Sequence, residues 1–230
     1  MNDETVRPRA VGVVAGVGAG ATMNATAAVI MAVAMLAVSP DARGAEPAAR
    51  TAEPAPLCAP ASVAAEARRL LAEPRANYWG VATKLATSEA AVLGAVAAER
   101  GAATVGDAFL AVWESLRTWP EAVAIVMKGG HVFEVHGKIA AGEPSKVSKY
   151  FNLQGHEGLS GHLRPDLVAA IYAIELPGRN GPEYGIAFAD AAGSVAFAVY
   201  VPAGDEFTPE GLKAWQATRA LIAARPPLCP

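Results

Sequence analysis

Four histidines, His131, His136, His156 and His162, all lie in the second half of the chain. A neutral imidazole offers one ring nitrogen to a metal while a carbonyl or carboxylate fixes the other. Histidine is accordingly a usual protein ligand of haem iron. His162 stands between Gly161 and Leu163, and glycine beside it lets a flat macrocycle approach the backbone. An ordinary hydrogen-bonded sheet histidine satisfies the same pattern. Nucleophilic catalysis has less support. Ser160 and His162 would point the same way from one strand, but Gly158-Leu159-Ser160-Gly161-His162 is not a G-x-S-x-G elbow, and no orienting acid is adjacent. No glycine-rich phosphate loop leads from a strand into a helix, and neither HExxH nor a paired-cysteine motif is present.

The elements that must position these residues come in two blocks. Residues 62–118 have helical periodicity. Ser62 can cap a helix through Leu71, with Val63, Ala67, Leu70 and Leu71 on one face and Pro74 as its stop. Helices over 78–85 and 90–99, joined at Thr87-Ser88-Glu89, have a helix-turn-helix shape. Residues 61–120 carry six Lys/Arg against six acids. DNA contact needs a basic face, so the expected partners include no nucleic acid. A further helix follows Gly106-Asp107 and stops at Trp119-Pro120. Beyond Pro120 the period becomes two. Strands over 122–127 and 131–136 flank Lys128-Gly129-Gly130, and strands over 150–154 and 159–164 flank a turn at 155–158. Residues 169–176 are ambiguous, with Pro165-Asp166 able to start a short helix. Strands over 184–190 and 194–201 form a third hairpin, with Val195, Phe197, Val199 and Val201 on one face. A last helix starts at Thr208-Pro209 and runs to about Ala224. Strands joined by short hairpins make the class α+β, an antiparallel sheet flanked by helices with an N-terminal helix-turn-helix-like part.

The chain has 230 residues, net charge −3, 53% apolar and 18% charged residues. This fits one main domain and excludes a disordered chain or a binder held by bulk positive charge. Residues 11–39 carry no charge, so residues 1–44 are expected to be a signal peptide or N-terminal anchor. Residues 45–61 are Pro/Ala-rich and expected to be a linker, which leaves 62–224 as the folded domain, helical over 62–118 and sheet over 119–224. Cys58 and Cys229 flank it. They are either a disulfide tying its ends in an oxidising compartment or two unrelated thiols.

The segment Tyr150-Phe151-Asn152-Leu153, then Gly158-Leu159-Ser160-Gly161-His162-Leu163-Arg164, resembles the ChuX/HutX family of haem-utilisation carriers. Trp119, the strand Val132-Phe133-Glu134-Val135 with Gly137, the hairpin 187–193 and Phe197 to Val201 fall in family order. The resemblance spans about 62–222. It implies a sheet flanked by helices, a homodimer, and haem b as cofactor, bound without a requirement for catalysis. It places one haem histidine at His162. The family's second histidine falls on Met127, a departure that leaves three ligation schemes: His162 alone, His162 with the Met127 sulfur, or His162 with His131. Lys146, Lys149 and Arg164 are then candidates to pair with propionates. The expected function is sequestering and passing on haem to a transfer partner. The alternatives are an enzyme that degrades or reduces haem, and a binding module that has lost it. Family members are cytoplasmic, whereas the N-terminal segment points to an exported, periplasmic or membrane-anchored protein.

Overall fold

The computed structural model describes residues 56–229, apart from 74–75, 129, 156–158 and 179–180. The expected leader, most of the linker, His156 and the Pro74 helix stop lie outside the described residues. Helix α1 spans Ala61–Leu71 and buries Ala67, Leu70 and Leu71. Ser62 does not cap it. The extended Pro60 precedes the first turn without a side-chain cap, which leaves Ser62 inside the helix. Helix α2, Tyr78–Lys84, is capped by Asn77, whose side chain accepts from the Gly80 N–H at 2.8 Å. Helix α3, Glu89–Arg100, is capped by Ser88, whose Oγ accepts from the Ala91 N–H at 3.0 Å. These hydroxyl and amide oxygens satisfy N–H groups that a helix start leaves unpaired. The α2 and α3 axes meet at 116°, the helix-turn-helix shape expected. Yet Ala90 through Ala97 of α3 are all buried, so the helix that would read a DNA groove is a core element instead.

The main sheet has the order β1-β7-β8-β9-β2-β3, antiparallel throughout. Its strands are β1 (Ala102–Val105), β2 (Ala122–Lys128), β3 (His131–Gly137), β7 (Val168–Gly178), β8 (Gly181–Asp190) and β9 (Val195–Tyr200). Helix α4 spans Phe109–Leu116 and α5 spans Pro209–Ala223. Helices α1–α3 cover one face, where Tyr172, Ile174, Ala187 and Ala198 are buried. Helices α4 and α5 cover the other, over Ile171, Ile186, Phe188 and Val199. Strand β7 is therefore buried on both faces, which is why its sequence shows no alternation. The short helix expected at Pro165 is a 3-10 turn, Pro165–Leu167. Each fully buried tryptophan has a hydrogen-bond acceptor: Ala140 O for Trp113, Thr218 Oγ1 for Trp119 and Gly185 O for Trp215.

One strand face differs from expectation. Phe188 pairs with Phe197 but Ala189 pairs with Val195, so one extra residue bulges at Ala196. A bulge reverses side-chain alternation beyond it. Val195 consequently packs with Ala198 on the α1–α3 side, apart from Phe197, Val199 and Val201.

A second, three-stranded sheet has the order β4-β5-β6, formed by Gly142–Pro144, Phe151–Leu153 and Gly161–Leu163. It docks through Phe151, whose ring lies 5.6 Å from Phe109 and 6.1 Å from Trp113. The end of the expected linker is also part of the domain. Leu57 and Ala59 pack on the core, and Tyr172 Oη donates to Leu57 O at 2.9 Å. Cys58 and Cys229 are joined by a disulfide, with Cα atoms 5.7 Å apart.

Candidate functional site

Alternation along the small sheet builds the first candidate face. Phe151 and Leu153 point inward and are buried, so Tyr150 and Asn152 point outward. Asn152 is directly opposite His162, and His162 is exposed. His162 Nδ1 lies 2.8 Å from Asn152 Oδ1. An amide oxygen only accepts, so Nδ1 carries the proton and donates. In the neutral ring this leaves the Nε2 lone pair without that partner, the form in which histidine binds a metal. Gly161 has φ +139°, a conformation that favours glycine, and a Cβ there would meet no atom within 4 Å. Backbone geometry explains the glycine, and the space in front of it is open.

The Tyr150 ring sits 5.8 Å from the His162 ring, and the Arg164 guanidinium lies 5.6 Å from the Tyr150 centroid. Arg164 binds Asp166 through two hydrogen bonds, 2.7 and 2.9 Å, and Lys149 Nζ is 3.5 Å from the same carboxylate. The Arg164 guanidinium, with Lys149 beside it, holds the Asp166 carboxyl down at about 2. Arg164 is raised in turn, chiefly by its hydrogen bond to Asp166. The structure thus brings together His162, Lys149 and Arg164, three of the residues singled out from the sequence. Tyr150, Asn152 and Asp166 join them. Asn152 and Asp166 carry no local sequence signal as site residues, because their role depends on cross-strand register and a turn.

Met127 and His131 are elsewhere, on the β2–β3 hairpin of the main sheet. No hydrogen bond or ion pair among the described residues joins either to His162. His131 is exposed, opposite Lys128 at the hairpin end. Met127 lines a cavity of about 530 Å³ between α2 and the β2–β3 face. The pairs Val123–His136, Ile125–Glu134 and Met127–Val132 place these side chains on that one face. Tyr78 and Trp79 of α2 and Tyr200 of β9 also line the cavity, with Glu183 and Glu206. Burial, with Tyr78 beside it, holds the Tyr200 hydroxyl well above its ordinary range, so it stays protonated. Burial likewise raises the Glu183 carboxyl.

Residues 103–218 match the family model for haem utilisation ChuX/HutX. The fold is similar to that of ChuX, at TM-score 0.61 and 23% identity, over 69% of this chain and 98% of that one. A protein from Agrobacterium tumefaciens is similar at TM-score 0.60 and 26% identity, over 70% of this chain and 92% of that one. ChuS, an E. coli haem oxygenase, shares the fold at TM-score 0.58 and 14% identity, over 72% of this chain and 50% of that one. No curated protein matches the chain in sequence. The matched residues run from β1 into α5 and include both sheets and the whole His162 face, and on that match the chain is a member of the ChuX/HutX haem-utilisation family.

Proposed function

We propose that this chain is a haem carrier, binding haem b at the His162 face and passing it to a partner. The observation that carries the proposal is the His162–Asn152 hydrogen bond of 2.8 Å. It fixes the exposed ring and its tautomer, so Nε2 is prepared to ligate without reorganisation. The donor set fits the group: an exposed imidazole, the Tyr150 ring beside it, and two cations within the same cluster. Lys149, 75% exposed on its side chain and 3.5 Å from Asp166, can exchange that contact for a propionate. Arg164 is already held by Asp166 and contributes through its position over Tyr150. Haem, when bound, would supply an iron that an imidazole can ligate. The chain's part is to hold the ring, present the cations and leave one side open for transfer. Met127 and His131 are not gathered to His162 within one protomer, so His162 is the iron ligand we assign to the chain.

The same reading includes a homodimer and export. Disulfides persist in oxidising compartments, and the Cys58–Cys229 bond supports a periplasmic or membrane-anchored location. No single helix among the described residues is long and apolar enough to cross a membrane.

A hemin titration read at the Soret band tests the proposal. Wild type gives a saturable shift, and His162→Ala loses it or moves it. An unchanged spectrum and affinity in the variant removes His162 from the role. A Soret band that stays stable for hours with a reductant supports the carrier over a haem-degrading enzyme, and its decay with turnover reverses that choice.

A further inference from the structure

The strap that leads into α1 is pressed against α3. Pro56 O accepts from Ser88 Oγ at 2.5 Å, and Leu57 O accepts from Tyr172 Oη at 2.9 Å. Gly94, midway along α3, makes room for it: a Cβ there would lie 3.1 Å from Leu57 O and 3.3 Å from Cys229 Sγ. Glycine weakens a helix interior, and the close approach of the strap accounts for its use here. Followed towards the N-terminus, the chain passes from Leu57 beside Gly94 to Pro56 beside Ser88, and so heads for the α2–α3 turn. At that turn lies an open groove of about 490 Å³. Pro56 itself lines it, with Trp79 of α2, Ala86 of the α2–α3 turn, and Ala192 and Gly193 of the β8–β9 turn. Trp79 meets Tyr78 edge-on, with centroids 5.1 Å apart, and is still 42% exposed.

The six residues before Pro56 are Arg50-Thr51-Ala52-Glu53-Pro54-Ala55. Proline fixes φ at about −65°, and the residue before a proline is driven to extended conformations. Pro54 and Pro56 therefore bias Glu53 to Pro56 towards polyproline II, which rises about 3.1 Å per residue. Aromatic-lined grooves take such segments because little conformational entropy is left to lose. We propose that this groove is the seat of the chain's own residues 50–55, which continue the strap past Trp79 as an extended segment. Docked there, the end of the linker belongs to the domain and shields the Trp79 ring. The proposal involves no haem and is independent of the His162 face.

The test is tryptic cleavage of the full chain after Arg50, a bond that a docked segment withholds from the protease. Wild type is cut there at least about tenfold more slowly than a free peptide of residues 46–56. Thr83→Gln combined with Ala192→Gln fills the groove from two exposed positions, and Pro54→Gly removes the extended bias. Each is cut at within about threefold of the peptide's rate. Acrylamide quenching of tryptophan emission, followed in parallel, rises in Pro54→Gly, because the other three tryptophans of the chain are buried. Wild-type cleavage at the peptide's rate overturns the proposal without any variant. Protection retained in the filled-groove variant would come from the nearness of the folded domain alone and overturns it too, as does unchanged quenching in Pro54→Gly. Saturable binding of a short alternating Ala-Pro peptide to wild type would assign the groove to a segment of another chain, with the same consequence.

Discussion

Replacing both Cys58 and Cys229 by alanine should destabilise the domain severely while leaving its native structure in place. The bond joins positions 171 residues apart. In the chain-entropy account a cross-link closing a loop of that size restricts the unfolded chain enough to stabilise the fold by about 5 kcal/mol. The native side has other restraints. Leu57 and Leu228 pack on the core, Leu228 N–H donates to Ala103 O at 3.2 Å, and Tyr172 Oη donates to Leu57 O at 2.9 Å. These contacts do not need the bond, so the loss is expected to appear in the folding equilibrium rather than as a new fold. With a urea dependence of about 2 kcal/mol/M, the midpoint should fall by about 2.5 M. Urea unfolding followed by circular dichroism measures it, and reduced wild type should coincide with the double variant. A midpoint within about 0.3 M of oxidised wild type would refute the reasoning that loop closure stabilises this chain.

Phe151→Ala should cost about 3–5 kcal/mol, since this buried ring packs on both Phe109 and Trp113. It should also weaken hemin binding by loosening β5, and a loss below about 1 kcal/mol would show that the small sheet does not depend on this anchor. Asn152→Ala should weaken hemin by about tenfold, the effect of losing the group that orients a ligating imidazole, whereas Asn152→Asp keeps an acceptor and most of the affinity. Equal Soret titrations for all three proteins would count against the proposed role of Asn152. The Asp166 carboxyl sits at about 2, below its ordinary 3.8, so it contributes stability above about pH 4 that is lost as pH falls towards 2. A carboxyl resonance titrating near 4 instead would mean that the Arg164 pair does not form in solution.

The helices were legible because their signals are local. Ser88 caps α3 and Thr208-Pro209 opens α5 as their side chains predict. Hairpins β2–β3 and β8–β9 follow from period-two strands around short turns. The short strands β1 and β4 carry no sequence signal, because three or four residues are too few to show a period. Strict alternation puts Val195 on the face of Phe197 and Val199, because the bulge at Ala196 leaves no compositional mark. His162 was visible as a candidate because its motif is contiguous. Its partner Asn152 was not, because ten residues and a cross-strand register separate the two.

Residue type and order alone determined the α+β class, the family resemblance and the chemistry available at His162, since helix caps, alternation and turn residues act over a few neighbours. Tertiary structure decided which of those groups meet. It buried Ala90 through Ala97 of α3 in the core. It paired Cys58 with Cys229 across the length of the domain. It also separated Met127 from His162 by placing them on different sheets. Such meetings depend on strand order and register, which arise from packing both faces of a sheet at once, and no short stretch of sequence encodes that.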